Sequence, residues 1–268
     1  MSFLSALFKR RSPPAPPRSV GPAVFEPPCP DQPLYVIGDI HGRIDLLDRL
    51  LEKIEDDAGA LVAEMPGADP RLIFVGDYID RGDHSRAVLE RVYHLHKEGD
   101  GRVICLQGNH EKLMLDFIDI PEKGPRWLRH GGLQTLMSLG LGGALAEGMD
   151  ADELIALSRD VHRVLPDGVE DWLRDLPLSW QSGSVWTVHA GADPTKPMAE
   201  QASRVLLWGH RDFDTVPRSD GAWVVHGHTV VDAAIAAEGR ISIDTGGVYT
   251  GRLSAARILP GSVRFLGT

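Results

Sequence analysis

From residue 34 onwards, short apolar runs alternate with amphipathic stretches, and the apolar runs end in Gly-Asp or Gly-Asn steps. Leu34–Ile40 has the pattern of a buried strand, and Arg43–Asp57 repeats apolar residues at helical spacing. Two further strand–helix pairs follow in the same order, Arg71–Asp77 with Ser85–Glu98 and Arg102–Gly108 with Glu111–Ile118. Three such units predict a parallel sheet whose functional residues lie where strands end and helices begin.

The chain then changes character twice. Residues 117–182 are predicted to form a mostly helical insertion, because helical patterns are separated there by breaks rich in glycine or proline, over Trp127–Leu139, Ala151–Leu165 and Val169–Leu176. Strand patterns return afterwards, separated by turn signals, over Ser184–Val188, Ala222–Val225, Arg240–Ile243, Leu253–Ile258 and Ser262–Leu266. The chain as a whole is therefore predicted to be an α/β protein.

The first 33 residues have a composition of their own. Nine of the nineteen prolines fall in residues 1–33, and the run from Pro13 to Pro17 lacks the amide donors that a helix needs. Residues 1–30 carry four basic residues against Glu26 alone, a net charge of +3. We predict a disordered basic tail over residues 1–33 and one folded domain over residues 34–268. Contact of the tail with an acidic membrane surface is the less favoured alternative.

Composition narrows the range of partners and compartments. The 268 residues are 43% hydrophobic and 25% charged, as in ordinary globular proteins. A formal net charge of −10 disfavours nucleic acid as a partner, because such a surface repels phosphate backbones. Cys29 and Cys105 lie far apart and match no disulfide or metal spacing, which indicates a reducing compartment and predicts a cytoplasmic location.

Polar residues with metal-binding chemistry follow the predicted strands. Asp39 and His41 come after the first strand, Asp77 after the second, and Asn109 and His110 after the third, and two later strands lead into His189 and His228. Imidazole, carboxylate and amide donors together suit manganese, iron or zinc. One carboxylate shared by two ions would hold them about 3.5–4 Å apart, the separation used in phosphoryl displacement. The pattern therefore predicts a dinuclear metal site at the sheet edge.

Five motifs in order carry a resemblance to a known family: GDIHG (38–42), GDYIDRG (76–82), GNHE (108–111), HAG (189–191) and HGHT (226–229). Together they resemble the calcineurin-like metallophosphoesterases, in particular the phosphoprotein phosphatase branch with its bacterial and bacteriophage serine/threonine phosphatases. The resemblance spans about residues 34–258. It implies a four-layer α/β sandwich of two mixed sheets flanked by helices, to which the helical insertion is added.

The resemblance also implies which residues bind metal. Asp39 and His41 would bind the first ion, Asp77 would bridge both ions, and Asn109, His189 and His228 would complete the second site. The cofactor expected is a pair of divalent ions, manganese first, with iron or zinc as alternatives. A water or hydroxide between the ions would attack phosphorus in line, since the two positive charges lower its pKa.

Four further residues are implied to act on the substrate. His110 resembles the general acid that protonates the leaving oxygen, with Asp80 orienting its imidazole, and Arg81 would hold phosphate oxygens. Bacterial phosphatases of the family carry a second arginine two residues after a tryptophan. Here His210 stands at that spacing after Trp208, and Arg211 follows it. Either Arg211 takes over the second contact with phosphate through a shifted backbone, or that second contact is weak; of the two residues, we expect Arg211 rather than His210 to contact phosphate.

The function expected from this resemblance is hydrolysis of phosphate monoesters, in particular phosphoserine and phosphothreonine in proteins, so that the partner is a phosphorylated protein. Two alternatives stay open. Dinucleoside tetraphosphate hydrolases share the same five motifs but cut a phosphoanhydride. A catalytically inactive scaffold of the same fold would bind without hydrolysis, although such a protein should have lost ligands or the general acid. No oligomeric state is predicted.

Overall fold

The structure, a computed structural model, describes residues 25–144 and 148–268. Residues 1–24 of the predicted disordered tail, which was assigned to residues 1–33 with a membrane contact as its alternative, lie outside the described ranges. No helix in the described ranges is long and apolar enough to cross a membrane.

The described residues form ten strands and nine α-helices. The strands are β1 (Leu34–Ile37), β2 (Arg71–Phe74), β3 (Val103–Cys105), β4 (Ser179–Ser182), β5 (Val185–Val188), β6 (Trp223–His226), β7 (Ile235–Ala237), β8 (Arg240–Ser242), β9 (Ser254–Leu259) and β10 (Ser262–Gly267). The helices are α1 (Ile44–Glu64), α2 (Ser85–Glu98), α3 (Asn109–Asp119), α4 (Gly124–Trp127), α5 (Leu133–Ser138), α6 (Ala151–Val164), α7 (Val169–Asp175), α8 (Ser203–Trp208) and α9 (Gly247–Thr250).

Each of the two sheets has five strands and mixed directions. The first sheet has the order β10-β9-β1-β2-β3, in which β1, β2 and β3 are parallel and β9 runs antiparallel to β1. The second has the order β4-β5-β6-β8-β7, in which β5, β6 and β8 are parallel. The three strand–helix units predicted from the sequence are therefore present. The second sheet contains three further parallel strands.

Alternation along β1 separates two cores. Leu34 and Val36 face the second sheet, where they join Val225 and Ile241 in a buried apolar cluster. Tyr35 and the other outward residues pack against the helices, which form a second and larger cluster. On the far side of the second sheet, α8 and its neighbouring loops cover a third, smaller cluster. The predicted fold class, two mixed sheets flanked by helices, is confirmed.

The helical insertion ends earlier than predicted. Residues 179–182 were assigned to it, but they form β4, which pairs antiparallel with β5. The helix predicted over Trp127–Leu139 is divided into α4, a π-helical turn over Leu128–Gly132, and α5. The division occurs because Gly131 adopts a positive φ of 108°, which a continuous α-helix does not accommodate.

Residues 25–33 pack against the second sheet, although they were assigned to the tail. The ring of Phe25 lies edge-on to Trp223 with 6.0 Å between centroids, and the indole of Trp223 donates to the Glu26 carbonyl at 2.8 Å. The Cys29 carbonyl accepts a hydrogen bond from the backbone of Ser184. These contacts compensate for the hydrogen bonds that prolines do not form. The folded part of the chain therefore begins by residue 25.

Candidate metal centre and active site

The predicted ligand residues follow strands of both sheets. Asp39 and His41 follow β1, Asp77 follows β2, and Asn109 begins α3 directly after β3. From the second sheet, β5 leads into His189 and β6 leads to His228. The side chains of the first five residues are buried, and that of His228 is partly exposed. The structure thus brings all six predicted metal ligands to one edge, where the two sheets meet.

Asp77 lies at the centre of this cluster. Its Oδ2 is 3.6 Å from Nε2 of His41 and 3.4 Å from Nε2 of His189. This carboxylate belongs to two groups of possible ligand atoms. One group comprises His41, Asp77 and His110, and the other comprises Asp77, His189 and His228. Within each group the ligand atoms lie within 4.8 Å of one another. A carboxylate common to two groups is the arrangement expected of a bridging ligand.

Asp39 and Asn109 complete the cluster. The carboxylate of Asp39 accepts a hydrogen bond from the backbone of His228 at 3.0 Å, which links the two sheets. The amide oxygen of Asn109 lies 2.7 Å from Nε2 of His189. Imidazole nitrogens, two carboxylates and an amide oxygen around a buried centre fit divalent cations of borderline hardness. The residues present therefore fit the metals that the resemblance implies.

Burial keeps the imidazoles neutral, as metal ligation requires. It lowers the pKa of His41 to about 3 and that of His189 to about 4. Nδ1 of His41 faces the Ile79 carbonyl at 2.8 Å, which fixes the tautomer with a free electron pair on Nε2. Burial alone would raise the pKa of Asp77, but the histidines around it and a hydrogen bond from the backbone of His110 together lower it. Asp77 is therefore ionised and ready to bind cations.

Tight backbone turns aim these side chains. His41, Asp77 and His228 have positive φ values of 45°, 53° and 63°, which non-glycine residues adopt at a cost of about 1–3 kcal/mol. A Cβ on Gly227 would lie only 1.9 Å from Oδ1 of Asp39, so glycine is required there. The strain is concentrated at the strand ends that carry the cluster, as is usual for functional sites.

Glu111 holds the turn that carries Asp77, and the sequence analysis did not single it out. Its Oε2 accepts hydrogen bonds from the backbone of Asp77 and of Gly108, both at 2.9 Å. Its Oε1 accepts another from the backbone of Tyr78 at 2.8 Å. The buried carboxylate therefore ties the end of β2 to the start of α3. Its place at the end of the GNHE motif was the available signal.

His110 and Asp80 form a buried pair beside the cluster. Nδ1 of His110 lies 2.7 Å from Oδ2 of Asp80, and Nε2 is left facing Asp77 at 3.9 Å. Burial would lower the pKa of His110, but Asp77 and Asp80 outweigh it and raise the pKa above its ordinary value. Asp80 is held in turn by Trp127 and by Thr135, which donates to Oδ1 at 2.6 Å. The pair has the geometry of an oriented proton donor.

The guanidinium of Arg81 spans the gap between two imidazoles. Nη1 lies 2.8 Å from Nε2 of His41, and Nη2 lies 3.0 Å from Nε2 of His110. The backbone of Arg81, at a φ of 67°, donates to the Gly131 carbonyl at 3.1 Å. A planar guanidinium held over a cationic centre can donate two parallel hydrogen bonds to a phosphoryl group.

Residues 32–232 match the family model of the calcineurin-like phosphoesterases. This chain belongs to that family. The resemblance seen in the five motifs is thereby confirmed, and the protein is a metallophosphoesterase hydrolase that acts on phosphorylated substrates.

Relatives of this phosphoesterase include two bacterial proteins named bis(5'-nucleosyl)-tetraphosphatase PrpE, asymmetrical. The one from Halalkalibacterium halodurans is 30% identical over 237 residues, which cover 83% of this chain and 88% of the relative. The one from Bacillus subtilis is 28% identical over 240 residues, which cover 83% of this chain and 89% of the relative.

Solved structures share the fold of this phosphoesterase. One is provisionally described as a diadenosine tetraphosphatase. It matches with a TM-score of 0.57 at 21% identity, and the match covers 88% of this chain and 94% of the chain in that structure. Another, a cold-active protein-tyrosine phosphatase of a Shewanella species, has a TM-score of 0.54 at 16% identity, and covers 88% and 80%. Both likenesses support the fold assignment.

Arg211 of this phosphoesterase forms no hydrogen bond or ion pair with the cluster residues in the described ranges, in contrast to the expected contact. Helix α8 ends at Trp208, and Gly209 turns the chain at a φ of 79°. The side chain of Arg211 is 88% exposed, and its Nε lies 3.4 Å from Oδ2 of Asp212. His210, which stands at the family spacing, lies 4.0 Å from Asp193 instead. After the turn at Gly209, both side chains contact aspartates outside the cluster.

A different arginine approaches the cluster through Trp208. The indole ring of Trp208 lies edge-on to His228, with 6.3 Å between ring centroids. The guanidinium carbon of Arg126, from α4 in the insertion, lies 4.9 Å from the centroid of the Trp208 ring. The sequence analysis missed Arg126 because only the folded insertion brings α4 against α8.

Proposed function

We propose that this phosphoesterase hydrolyses dinucleoside tetraphosphates asymmetrically, releasing a nucleoside triphosphate and a nucleoside monophosphate. The proposal is carried by the similarity to relatives that are named for that activity. This similarity extends over 83% of this chain and is not confined to the motifs. It supports the alternative that the sequence left open, over the expected hydrolysis of phosphoserine and phosphothreonine in proteins. The family assignment makes the protein a hydrolase, so the inactive scaffold is not supported.

In this proposal Asp77 would contribute to the sites of two divalent ions. Asp39 and His41 would hold the first ion, and Asn109, His189 and His228 the second. Bound divalent ions supply positive charge that polarises the phosphoryl group and lowers the pKa of water. Manganese is the ion we propose, because mixed nitrogen and oxygen donors suit it better than they suit magnesium, and iron and zinc fit the same donors.

Arg81 orients the phosphoryl group for attack. Its two terminal nitrogens lie within 3.0 Å of Nε2 of His41 and of His110, so a small shift of the guanidinium directs both donors to a phosphoryl group held beside those rings. Charge-assisted hydrogen bonds of this kind stabilise negative charge that is spread over phosphoryl oxygens.

His110 assists the departure of the leaving oxygen. A water oxygen forms a bond to phosphorus and gives up one proton to solvent, while the bond from phosphorus to the bridging oxygen breaks. Nε2 of His110 donates its proton to that oxygen and afterwards regains a proton from solvent. Asp80, 2.7 Å from Nδ1, stabilises the charged imidazole before the transfer. Trp127 and Thr135 keep Asp80 in place, so the helical insertion contributes to catalysis by positioning.

We also propose a cytoplasmic location, as composition indicates. Both Cys29 and Cys105 are free thiols. Reducing compartments preserve free thiols, which supports the proposal. Fractionation of cells that express the tagged full chain tests it, with recovery in the cytosolic fraction as the expected result and export as the contrary one.

Product analysis tests the proposed activity. Manganese-loaded protein is incubated with diadenosine tetraphosphate, and the nucleotides are separated by ion-exchange chromatography. We expect ATP and AMP in equal amounts, and loss of both in an Asp77→Asn control prepared in parallel. Two molecules of ADP would contradict the asymmetrical cleavage. Turnover of a phosphothreonine peptide without turnover of diadenosine tetraphosphate would overturn the proposal in favour of protein substrates.

A further inference from the structure

A cavity of about 430 Å³ opens beside the proposed general acid, on the side of the helical insertion. It is lined by Arg81, Arg129, His130, Gly131, Gln134 and Tyr249. Its size lies within the range of cavities that hold nucleotide-sized ligands. Neither the metal cluster nor the reaction described above uses the four residues beyond Arg81 and Gly131.

The cavity continues from the reacting centre on the side of the leaving group. Arg81 belongs to both, since its Nη2 lies 3.0 Å from Nε2 of His110 while its side chain lines the cavity. The ring of His130 lies edge-on to that of His110, with 6.4 Å between centroids. His110 gives its proton to the leaving oxygen, so the leaving group lies beside His110, and His130 and the cavity adjoin that position.

The cavity wall carries positive charge that is available to a ligand. Arg129 is exposed, and no carboxylate in the described ranges forms an ion pair with it. Arg163 and Arg174 of the insertion differ in this respect, because they pair with Asp160 and Asp119. An unpaired arginine next to Arg81 is suited to phosphates further along a polyphosphate chain.

Tyr249 gives the cavity an aromatic rim. Its side chain is 69% exposed, which is unusual for so large a ring. It is held out on α9, a single helical turn between Gly246 and Gly251, both with positive φ. An exposed ring that lines an arginine-containing cavity offers a stacking surface for a nucleobase. Gln134 adds an amide that can pair with the edge of a base.

We propose that this cavity is the leaving-group subsite and that it binds a nucleoside polyphosphate, with Arg129 on the distal phosphates and Tyr249 stacked on the base. The proposal rests on the proposed function and names the residues that select its substrate. A phosphopeptide has phosphate at the reacting centre but neither a polyphosphate chain nor a base for this cavity. The subsite would therefore distinguish dinucleoside polyphosphates from phosphoproteins.

Inhibition of aryl phosphate hydrolysis separates the two contacts. The inhibition constants of ATP and of inorganic triphosphate are measured on manganese-loaded wild type, Tyr249→Ala, Tyr249→Phe and Arg129→Ala, with manganese in excess.

Wild type should bind ATP more tightly than triphosphate. Tyr249→Ala should raise the inhibition constant of ATP about tenfold, which is within the range of base stacking. It should leave the inhibition constant of triphosphate unchanged. Tyr249→Phe should keep the preference, because the ring is retained. Arg129→Ala should raise the inhibition constants of both ATP and triphosphate about five- to tenfold.

Substrate kinetics complete the test. In Tyr249→Ala and Arg129→Ala the KM for diadenosine tetraphosphate should rise about tenfold, in line with the inhibition constants. Arg163→Ala is the matched control: this arginine of the same insertion has a side chain 72% exposed and lies on α6. It should behave as wild type in every assay.

Four outcomes decide between the proposals. If wild type cleaves diadenosine tetraphosphate but both alanine variants match Arg163→Ala, the subsite is overturned and the proposed function stands. If Tyr249→Ala weakens ATP and triphosphate equally, the stacking contact is overturned. If the variants raise the KM of a phosphothreonine peptide and leave ATP binding unchanged, the cavity binds protein and the subsite is overturned. If wild type fails on diadenosine tetraphosphate but Tyr249→Ala abolishes a preference for ATP, the subsite is supported and the proposed function falls.

Discussion

Single residues at strand ends carry the chemistry, and their positions could be predicted because parallel strands end at one edge of a sheet. Asp77 and His189 were assigned in this way, and their side chains lie 3.4 Å apart. The residues that support them were harder to find. Trp127 and Thr135 contact Asp80 from 47 and 55 residues further along the chain, and nothing in their local sequence marks that contact.

His110→Asn tests the general acid at the scale of one residue. The kcat on an alkyl phosphate should fall about 10²–10⁴-fold, the usual size of a general-acid contribution. An aryl phosphate and diadenosine tetraphosphate should lose less, because their leaving groups need less protonation. Steady-state kinetics on the three substrates, together with metal analysis showing unchanged content, checks this. Equal losses on all three substrates would indicate a structural role for His110.

Arg126 and Arg211 offer a direct comparison of two arginines. Arg126 lies on Trp208 beside His228, whereas Arg211 is 88% exposed and lies beside Asp212. We predict that Arg126 makes the second contact with phosphate, so Arg126→Ala should lower kcat/KM about ten- to a hundredfold, the range implied by one charge-assisted hydrogen bond to a phosphoryl oxygen. Arg211→Ala should change it less than about twofold. The opposite order would show that the position after Trp208 acts on phosphate, as the sequence analysis expected.

At the scale of elements, periodicity located most helices and strands but not the places where tertiary contacts divide them. The prediction of one helix over Trp127–Leu139 was wrong in its middle, where Gly131 turns so that its carbonyl accepts from Arg81. A Cβ on Gly131 would lie 2.7 Å from the Arg81 nitrogen. A glycine within a helical pattern was the available signal, but its partner lies fifty residues earlier and is brought near only by folding.

Asp57 fastens α1 to the first sheet and allows a stability prediction. Its carboxylate accepts from Tyr35 at 2.7 Å and from Arg257 at 2.9 Å, and its side chain is 12% exposed. Asp57→Asn should lower the free energy of unfolding by about 1.5–3 kcal/mol at pH 7, the range for hydrogen bonds to charged groups. Urea denaturation measures it. Asp56→Asn, on the neighbouring exposed residue, is the matched control and should change little.

The effect of Asp57 should also depend on pH. Burial opposes ionisation of Asp57, but Tyr35 and Arg257 outweigh it and lower its pKa below the ordinary value. A lowered folded-state pKa means that the stabilisation is complete above the ordinary pKa of about 4 and is lost as pH falls through the lower value. The difference between wild type and Asp57→Asn should therefore shrink below about pH 4. A difference that grows as pH falls would contradict this account.

At the scale of the whole molecule, the site exists because two sheets place their parallel strand ends together. The backbone of His228 in the second sheet donates to Asp39 in the first, so neither sheet alone holds the full ligand set. Sequence motifs indicated the members of the set, but the sequence did not reveal how residues 25–33 brace the second sheet through Trp223. A proline-rich composition is typical of disordered tails. Only tertiary contacts distinguish a packed proline-rich segment from a disordered tail.

Binding of two metal ions that share Asp77 is the central claim, and metal stoichiometry tests it most directly. Chelated protein is titrated with Mn²⁺ by calorimetry, the bound metal is counted by mass spectrometry, and activity is followed in parallel. Wild type should be inactive after chelation, bind two ions per chain and recover activity with Mn²⁺ better than with Mg²⁺. Asp77→Asn should bind at most one ion, and lose more activity than Asp39→Asn, while Asp57→Asn should still bind two. One ion per chain in active wild type, or two in Asp77→Asn, would contradict the shared carboxylate.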